Sequence, residues 1–324
     1  MHSITATNVN TAFTAGLQWL RVAGEREDSR NGPVLVSPTP VCTTYKNPTQ
    51  RVLFCPERDA NPFFHLMESL WMLAGRESVN FVSQFNSGMV NYSDDGRVLN
   101  GAYGYRWRRY FGFDQLVEVM RMLNRDQNSR RAVLTMYDPT FDLGENPDSK
   151  DIPCNTHIYF DLRGDKLNMT VCCRSNDAVW GAYGANVVHM SMLQEVMASA
   201  LGTVCGDYRQ MSNNFHLYTT VHDVEKLAWA DSPNLYRTHG LKPYPLMHEN
   251  SDLEEWLDEC EHFTMFPGDA TQYANPFFSE VAFPMYAAWV DRKNGINSGM
   301  EWALKIEADD WRIACCDWIR RRSL

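Results

Sequence analysis

"DIPCNTHIYFDLRGDKLNMTVCCRSNDAVWGAYGAN", residues 151–186, is the stretch on which the reading of this chain turns. Two runs rich in β-branched and aromatic residues flank a Gly164-Asp165 pair, the pattern of an antiparallel hairpin with a tight turn. Pro153 lacks an N–H, which places Cys154 at the end of the first strand, outside the ladder. With the turn near 164–165, Cys154 and Arg174 fall opposite each other, and a guanidinium beside a thiol favours the thiolate. Two readings stand for Cys154 at this point: apolar filler in a strand, or a nucleophile.

Outward from the hairpin, "ANPFFHLMESLWMLAG" (60–75) predicts a helix capped by Asn61, with Pro62 in its first turn and Gly75 at its end. "NVVHMSMLQEVMASALG" (186–202) has helical apolar spacing, an Asn at its start and Gly202 just past its end. "PVLVSP" and "RAVLTMY" read as further strands. Strands and long helices without regular βαβ alternation define an α+β chain. From Ser232 a Pro-rich connector leads into an acidic helical stretch and a Trp-rich tail. The expected division is a main domain over 1–231 and an extension over 232–324 packed on it.

A net charge of −10 argues against a nucleic-acid partner. No apolar run is long enough to span a membrane, and the first residues lack the layout of a secretory signal, so the expected location is cytoplasmic. Nine cysteines without a C-x-x-C pair argue against a disulfide framework and against a metal site. Arginines cluster at "RWRRYF", "NSRRAV" and "WIRRRSL". The last reads as solvated surface; the pair opening an apolar strand better suits a bound anion or a partner's carboxylates.

Glu68 lies between Phe64 and Met67 on one side and Trp71 and Met72 on the other. It is either a proton-transfer group whose carboxyl is raised by its apolar face, or a residue on the helix's exposed edge. In "SNNFHLY", His216 and Tyr218 share a face if extended, and either bind a hydroxyl or sit half-buried in a sheet. "GAYGAN" matches no P-loop or dinucleotide pattern and reads as a turn bringing Asn186 close to a flat group.

Taken together these segments resemble the thymidylate synthase superfamily, which includes the pyrimidine nucleotide hydroxymethylases, from about Arg30 to Tyr218. The resemblance implies that "SRNG" supplies a phosphate ligand in Arg30. "HLMESLWMLAGR" would carry the catalytic Glu68, and "NGAYGYRWR" a Tyr103 that assists proton removal. "NSRRAV" would reach a second subunit's phosphate site through Arg130 and Arg131, making a homodimer with shared sites. In "PCN" Cys154 would attack C6 of the pyrimidine. "RSND" would give Arg174 and Ser175 to the phosphate and Asp177, with Gly181, to the folate. His216 and Tyr218 would hold the sugar hydroxyl. The implied fold is α+β, a mixed β-sheet at the dimer interface with long helices packed on it. The implied substrates are a pyrimidine deoxynucleotide 5′-monophosphate and 5,10-methylenetetrahydrofolate, with no metal.

Departures from the synthase pattern bear on the product. "NSGMVNYSDDGRVLNGAYG" holds no tryptophan to shield a methylene during hydride transfer. "C-N-T" and "R-S-N-D" are closer to the deoxycytidylate hydroxymethylases, and the C-terminal stretch differs from the tail that closes over folate in the synthases. A hydroxymethylase is therefore favoured, with a thymidylate synthase, a non-catalytic nucleotide-binding relative and a nucleic-acid-modifying enzyme as the other readings. Alignment of the following helix makes Asn186 the base reader; counting from Arg174 gives Ala185, which cannot read a base. An amide serves uracil or cytosine.

Overall fold

The computed structural model describes residues 1–247, 252–269, 273–296 and 298–322. Its framework is one mixed sheet of β1 (His2–Ala6), β2 (Glu25–Ser29), β3 (Gly32–Val36), β4 (Val41–Tyr45), β5 (Val133–Thr135), β6 (Asn155–Arg163), β7 (Lys166–Asp177) and β8 (Val204–Tyr218). The spatial order is β1-β4-β8-β7-β6-β5, and β3, carrying β2, pairs with the far end of β8. β7 runs parallel to β8 and β1 parallel to β4; the other pairings are antiparallel.

The expected hairpin is β6–β7, turning at Gly164 with φ 63°. Asn155 pairs with Cys173, and the Arg174 N–H donates to the Cys154 carbonyl at 2.8 Å. Cys154 thus faces Arg174 just outside the ladder, as the missing Pro153 donor requires.

The Pro62–Leu73 helix begins at Asn61, whose side chain accepts from the Phe64 N–H, and it ends before Gly75 at φ 67°. All its residues except Phe64 are buried, so Glu68, 6% exposed, is no edge residue. The Asn186–Ala200 helix is buried continuously from Asn186 to Ala198, packed between the sheet and the Glu68 helix. A helix buried all round has no polar face to place its polar residues on. Asn186, His189, Gln194 and Glu195 therefore need partners inside the protein. Gln194 donates to the Leu167 carbonyl, and Glu195 pairs with Arg51.

Behind the Glu68 helix packs the Leu253–Met265 helix, with Trp256, Cys260 and Phe263 buried. The Cys260 thiol donates to the Leu70 carbonyl at 3.1 Å. Trp289, tilted, and Trp318, edge-on, pack around Phe63 with ring centroids at 5.6 and 5.5 Å. Among the described residues no helix is long and apolar enough to cross a membrane.

Candidate active site

A cavity of about 550 Å³ opens at the end of the sheet where β3, β8 and β7 lie side by side. Their register puts Ser175 opposite Asn214, Asp177 opposite His216, and Val34 opposite Tyr218. Period-two alternation sends Asn214, His216 and Tyr218 to one face, where all three line the cavity. His216 Nδ1 lies 2.7 Å from Asn214 Oδ1, which fixes the ring. Burial holds the His216 imidazole below its ordinary range, with the Asp177 carboxylate pulling the other way.

Arg30 projects from the β2–β3 turn, which Ser29 closes by donating to the Gly32 carbonyl at 2.6 Å. Arg174, Ser175 and Lys150 line the cavity with it, and so do Glu27, Asp28 and Asp142; the arginines and the serine are the groups in this mixed lining that suit a phosphate. Arg174 also braces the loop before the thiol: Nε donates to the Pro153 carbonyl at 3.0 Å and Nη2 to the Ile152 carbonyl at 2.8 Å. Lys150 was not legible in the sequence, since it stands in no motif. Arg130 and Arg131 are exposed at the start of β5 and are not part of this cavity's lining.

Beyond the cavity lies the thiol. Burial pushes the Cys154 thiol up; Arg174 draws it down, Asp151 adds to the rise, and Arg30 opposes it. The Tyr103 hydroxyl accepts from the Asn155 N–H at 3.3 Å, beside Cys154. Tyr103 opens the Tyr103–Arg108 helix, which lies so close to the Glu68 helix that a Cβ at Gly104 would stand 1.7 Å from the Met72 carbonyl oxygen. Only glycine fits there, which explains the Tyr-Gly pair. Burial and then the Cys154 charge push the Tyr103 phenol well above its ordinary range. Asp151 accepts from the Gly101 N–H at 2.8 Å, and burial raises its carboxyl to about 6.

From Asn155 a buried amide relay runs inward. Asn155 Nδ2 donates to Asn186 Oδ1 at 3.3 Å, Asn186 Nδ2 to Asn176 Oδ1 at 3.0 Å, and Asn176 Nδ2 to Ser212 Oγ at 3.0 Å. Asn155 Oδ1 has no partner. Gly181, expected at the folate, lies under this relay, where a Cβ would come within 2.5 Å of Asn176 Oδ1. Asn186 is therefore held with its amide oriented by two neighbours, while Ala185 is only the residue before the helix. Glu68 is buried as well, its Oε2 3.0 Å from His189 Nε2.

A thiol between an arginine-bearing cavity and a buried amide–carboxyl cluster is the arrangement of an enzyme that works on a small polar substrate through a nucleophile. Residues 18–242 match the family model described as thymidylate synthase. The chain is 46% identical to the deoxyuridylate hydroxymethyltransferase of Pseudomonas phage M6 across 99% of this chain and 95% of that protein. It is 37% identical to the protein of that name from Bacillus phage SP01, across 75% of this chain and 64% of the relative. A putative thymidylate synthase of Methanothermobacter thermautotrophicus is 32% identical across 45% of this chain and 60% of its own length. The chain belongs to the thymidylate synthase family and is a one-carbon transferase acting on a pyrimidine deoxynucleotide monophosphate with methylenetetrahydrofolate.

The residues present fit that folate. Asp177 Oδ1 accepts from the Val179 and Trp180 N–H groups, and its Oδ2 is buried without a partner. A free carboxylate oxygen suits the N–H edge of a pterin. Beside it Trp180, 43% exposed, offers a ring that leans on Tyr218 and His222.

Proposed function

We propose that this protein converts deoxyuridine 5′-monophosphate to its 5-hydroxymethyl derivative, releasing tetrahydrofolate. The observation that carries the reading is the near full-length identity to a deoxyuridylate hydroxymethyltransferase. The polar surroundings of the thiol support it. In the segment where a synthase has its shielding tryptophan stands Tyr92, half exposed, whose phenol burial raises and which feels the charges of Tyr218, Glu68, Asp151 and Asp177.

In this reading Arg30, Arg174 and Ser175 grip the phosphate, joined by Arg130 and Arg131 of a second subunit. The two arginines are exposed cations outside their own cavity, and alternate residues of β6–β8 are only half-buried on the sheet face the helices leave uncovered. Both facts support a homodimer packed through the sheet. His216 and Tyr218 hold the sugar hydroxyl, and Asn186 reads the base with its remaining amide hydrogen and lone pair. Cys154 adds to C6, which makes C5 nucleophilic; bound methylenetetrahydrofolate supplies a one-carbon unit at the formaldehyde level. Glu68 and Tyr103 move protons at C4–C5, and Asp177 orients the pterin. Residues 1–231 form the catalytic domain, and 232–324 an extension that buttresses the Glu68 helix.

The test is direct. The enzyme is incubated with methylenetetrahydrofolate and either dUMP or dCMP, and the product is weighed. A hydroxymethyl product from dUMP, with no dihydrofolate absorbance, is expected. A methyl product with stoichiometric dihydrofolate overturns the reading.

A further inference from the structure

The amide relay from Asn155 through Asn186 and Asn176 to Ser212 can run in either direction. An amide turned end for end fills the same space with donor and acceptor exchanged. If all three amides turn together, every link survives. Ser212 then donates to Asn176, Asn176 to Asn186, and Asn186 to Asn155. Such a relay must end on a group that both donates and accepts, and Ser212 supplies a hydroxyl. Ser212 lies on β8 between Val41 of β4 and Cys173 of β7, and is 3% exposed. Among the described residues its hydroxyl has no other hydrogen-bond partner, and no charged side chain bonds to the three amides. Gly181 leaves the amides room to turn: a Cβ there would stand 2.5 Å from Asn176 Oδ1 and 3.3 Å from Asn186 Nδ2. The two directions differ at the Asn155 end. As observed, Asn155 Oδ1 is the atom left bare; in reverse it would be the amide N–H. A buried N–H without an acceptor is tolerated less well than a carbonyl oxygen without a donor, so the observed direction is the resting one.

We propose that Ser212 is a positioning residue that decides base specificity: it sets the direction of the relay, and the observed direction presents Asn186 to uracil. This deepens the reading of Asn186 as base reader of a dUMP enzyme and rests on it. Uracil offers a carbonyl at C4 beside an N3–H; cytosine offers an amino group beside a bare N3. The two edges are donor–acceptor opposites, so each direction of the Asn186 amide complements one ring. Ser212 is not part of the cavity lining and acts only through Asn176. Without its hydroxyl the preference vanishes. The observed direction then leaves an N–H bare at Asn176 and a carbonyl bare at Asn155. The reverse direction leaves the same two groups bare with the ends exchanged, at equal cost.

The experiment uses full-length enzyme with methylenetetrahydrofolate and a mixture of dUMP and dCMP, and quantifies the product formed from each. Competition gives the ratio of the two kcat/KM values, from which any general loss of activity cancels. Ser212→Ala should move the ratio toward dCMP by about tenfold, while Ser212→Thr, which keeps the hydroxyl, holds it within about threefold. If the Ala variant does not fold, Ser212→Cys, with its weak donor and acceptor, should move the ratio the same way by about threefold. Two carboxylates then fix the relay from opposite ends, measured near pH ~8 to keep them ionised. Asn176→Asp can only accept from Asn186, which locks the observed direction and should sharpen the preference for dUMP by about tenfold. Asn155→Asp also accepts from Asn186, which locks the reverse direction and should favour dCMP by about a hundredfold. A charge acting through space, or a loosened fold, would move both ratios the same way or neither. Either result overturns the proposal, as does a Thr variant that shifts as far as Ala. Asn186→Ala in the same assay tests the parent reading. An unchanged ratio there removes Asn186 as base reader; a collapsed ratio there, with the Ser212, Asn176 and Asn155 variants unmoved, overturns the relay alone.

Discussion

The two ends of the site are built on opposite plans. At the cavity, Arg30 stands on an exposed turn, and Arg130 and Arg131 lie on the surface, away from the lining. At the inner end, Asn155, Asn176, Asn186, Glu68 and His189 are all buried between helices and sheet. Charge grips at long range and tolerates loose placement. Proton transfer and base reading demand short, directed contacts. The contrast predicts that substitutions at the cavity alter binding, whereas those in the buried end alter rate and selectivity.

The largest expected effect lies where the two ends meet. Cys154→Ser should lower turnover by about 10⁴-fold while circular dichroism stays unchanged, because the hydroxyl is a far weaker nucleophile at neutral pH. Activity within tenfold of wild type would remove Cys154 from the mechanism. Next comes the arginine pair. On the proposed shared site, Arg130→Ala/Arg131→Ala would remove two charge-assisted contacts and should cost about 10³-fold in kcat/KM. Mixing that inactive protein with inactive Cys154→Ala protein should recover activity through hybrid dimers. No recovery after proven subunit exchange would break the contrast, since the cationic end would then be complete within one subunit.

In the buried end, Asn186→Asp should shift preference toward dCMP by about a hundredfold. A carboxylate keeps the acceptor that Asn155 uses but loses the N–H given to Asn176. The Asn176 amide must turn to follow it, so part of the cost will appear as lower thermal stability. An unchanged dUMP-to-dCMP ratio would show that Asn186 does not read the base.

The two ends also differed in what the chain alone disclosed. Gly164-Asp165 marked the hairpin, Asn61 and Gly75 bounded the Glu68 helix, and Pro153 placed Cys154 beside Arg174, because each acts through its own local backbone. The amide relay was not legible. Asn155, Asn176, Asn186 and Ser212 meet only after β7 pairs in parallel with β8, and no local pattern encodes that pairing. His189 was hidden for another reason: its helix is buried on every side, so no periodicity separates a buried polar residue from its apolar neighbours. What the missing Cβ of Gly181 makes room for was hidden in the same way, since the Asn176 amide reaches it only in the packed relay.

The smallest effect expected on turnover belongs to Asp151, at the border of the two ends. Its carboxyl stands near 6 in the fold, against an ordinary value of 3.8, chiefly through burial. The fold therefore binds the proton more tightly than the unfolded chain. The contribution of Asp151 to stability should be greatest below about pH 4, fall as pH rises from 4 to 6, and stay level above. The two-unit shift corresponds to at most about 3 kcal/mol. Asp151→Asn keeps an oxygen for the Gly101 N–H and removes the buried charge, so denaturant melts should show stabilisation at pH 7.5 and none at pH 3.5. The same charge helps hold the Cys154 thiol up. Without it the pH midpoint for alkylation of Cys154 by iodoacetamide should move down, with turnover changed less than tenfold. A midpoint that moves up, or a melt that gains equally at both pH values, would mean that Asp151 acts through loop geometry, and the border would then belong to the cavity side.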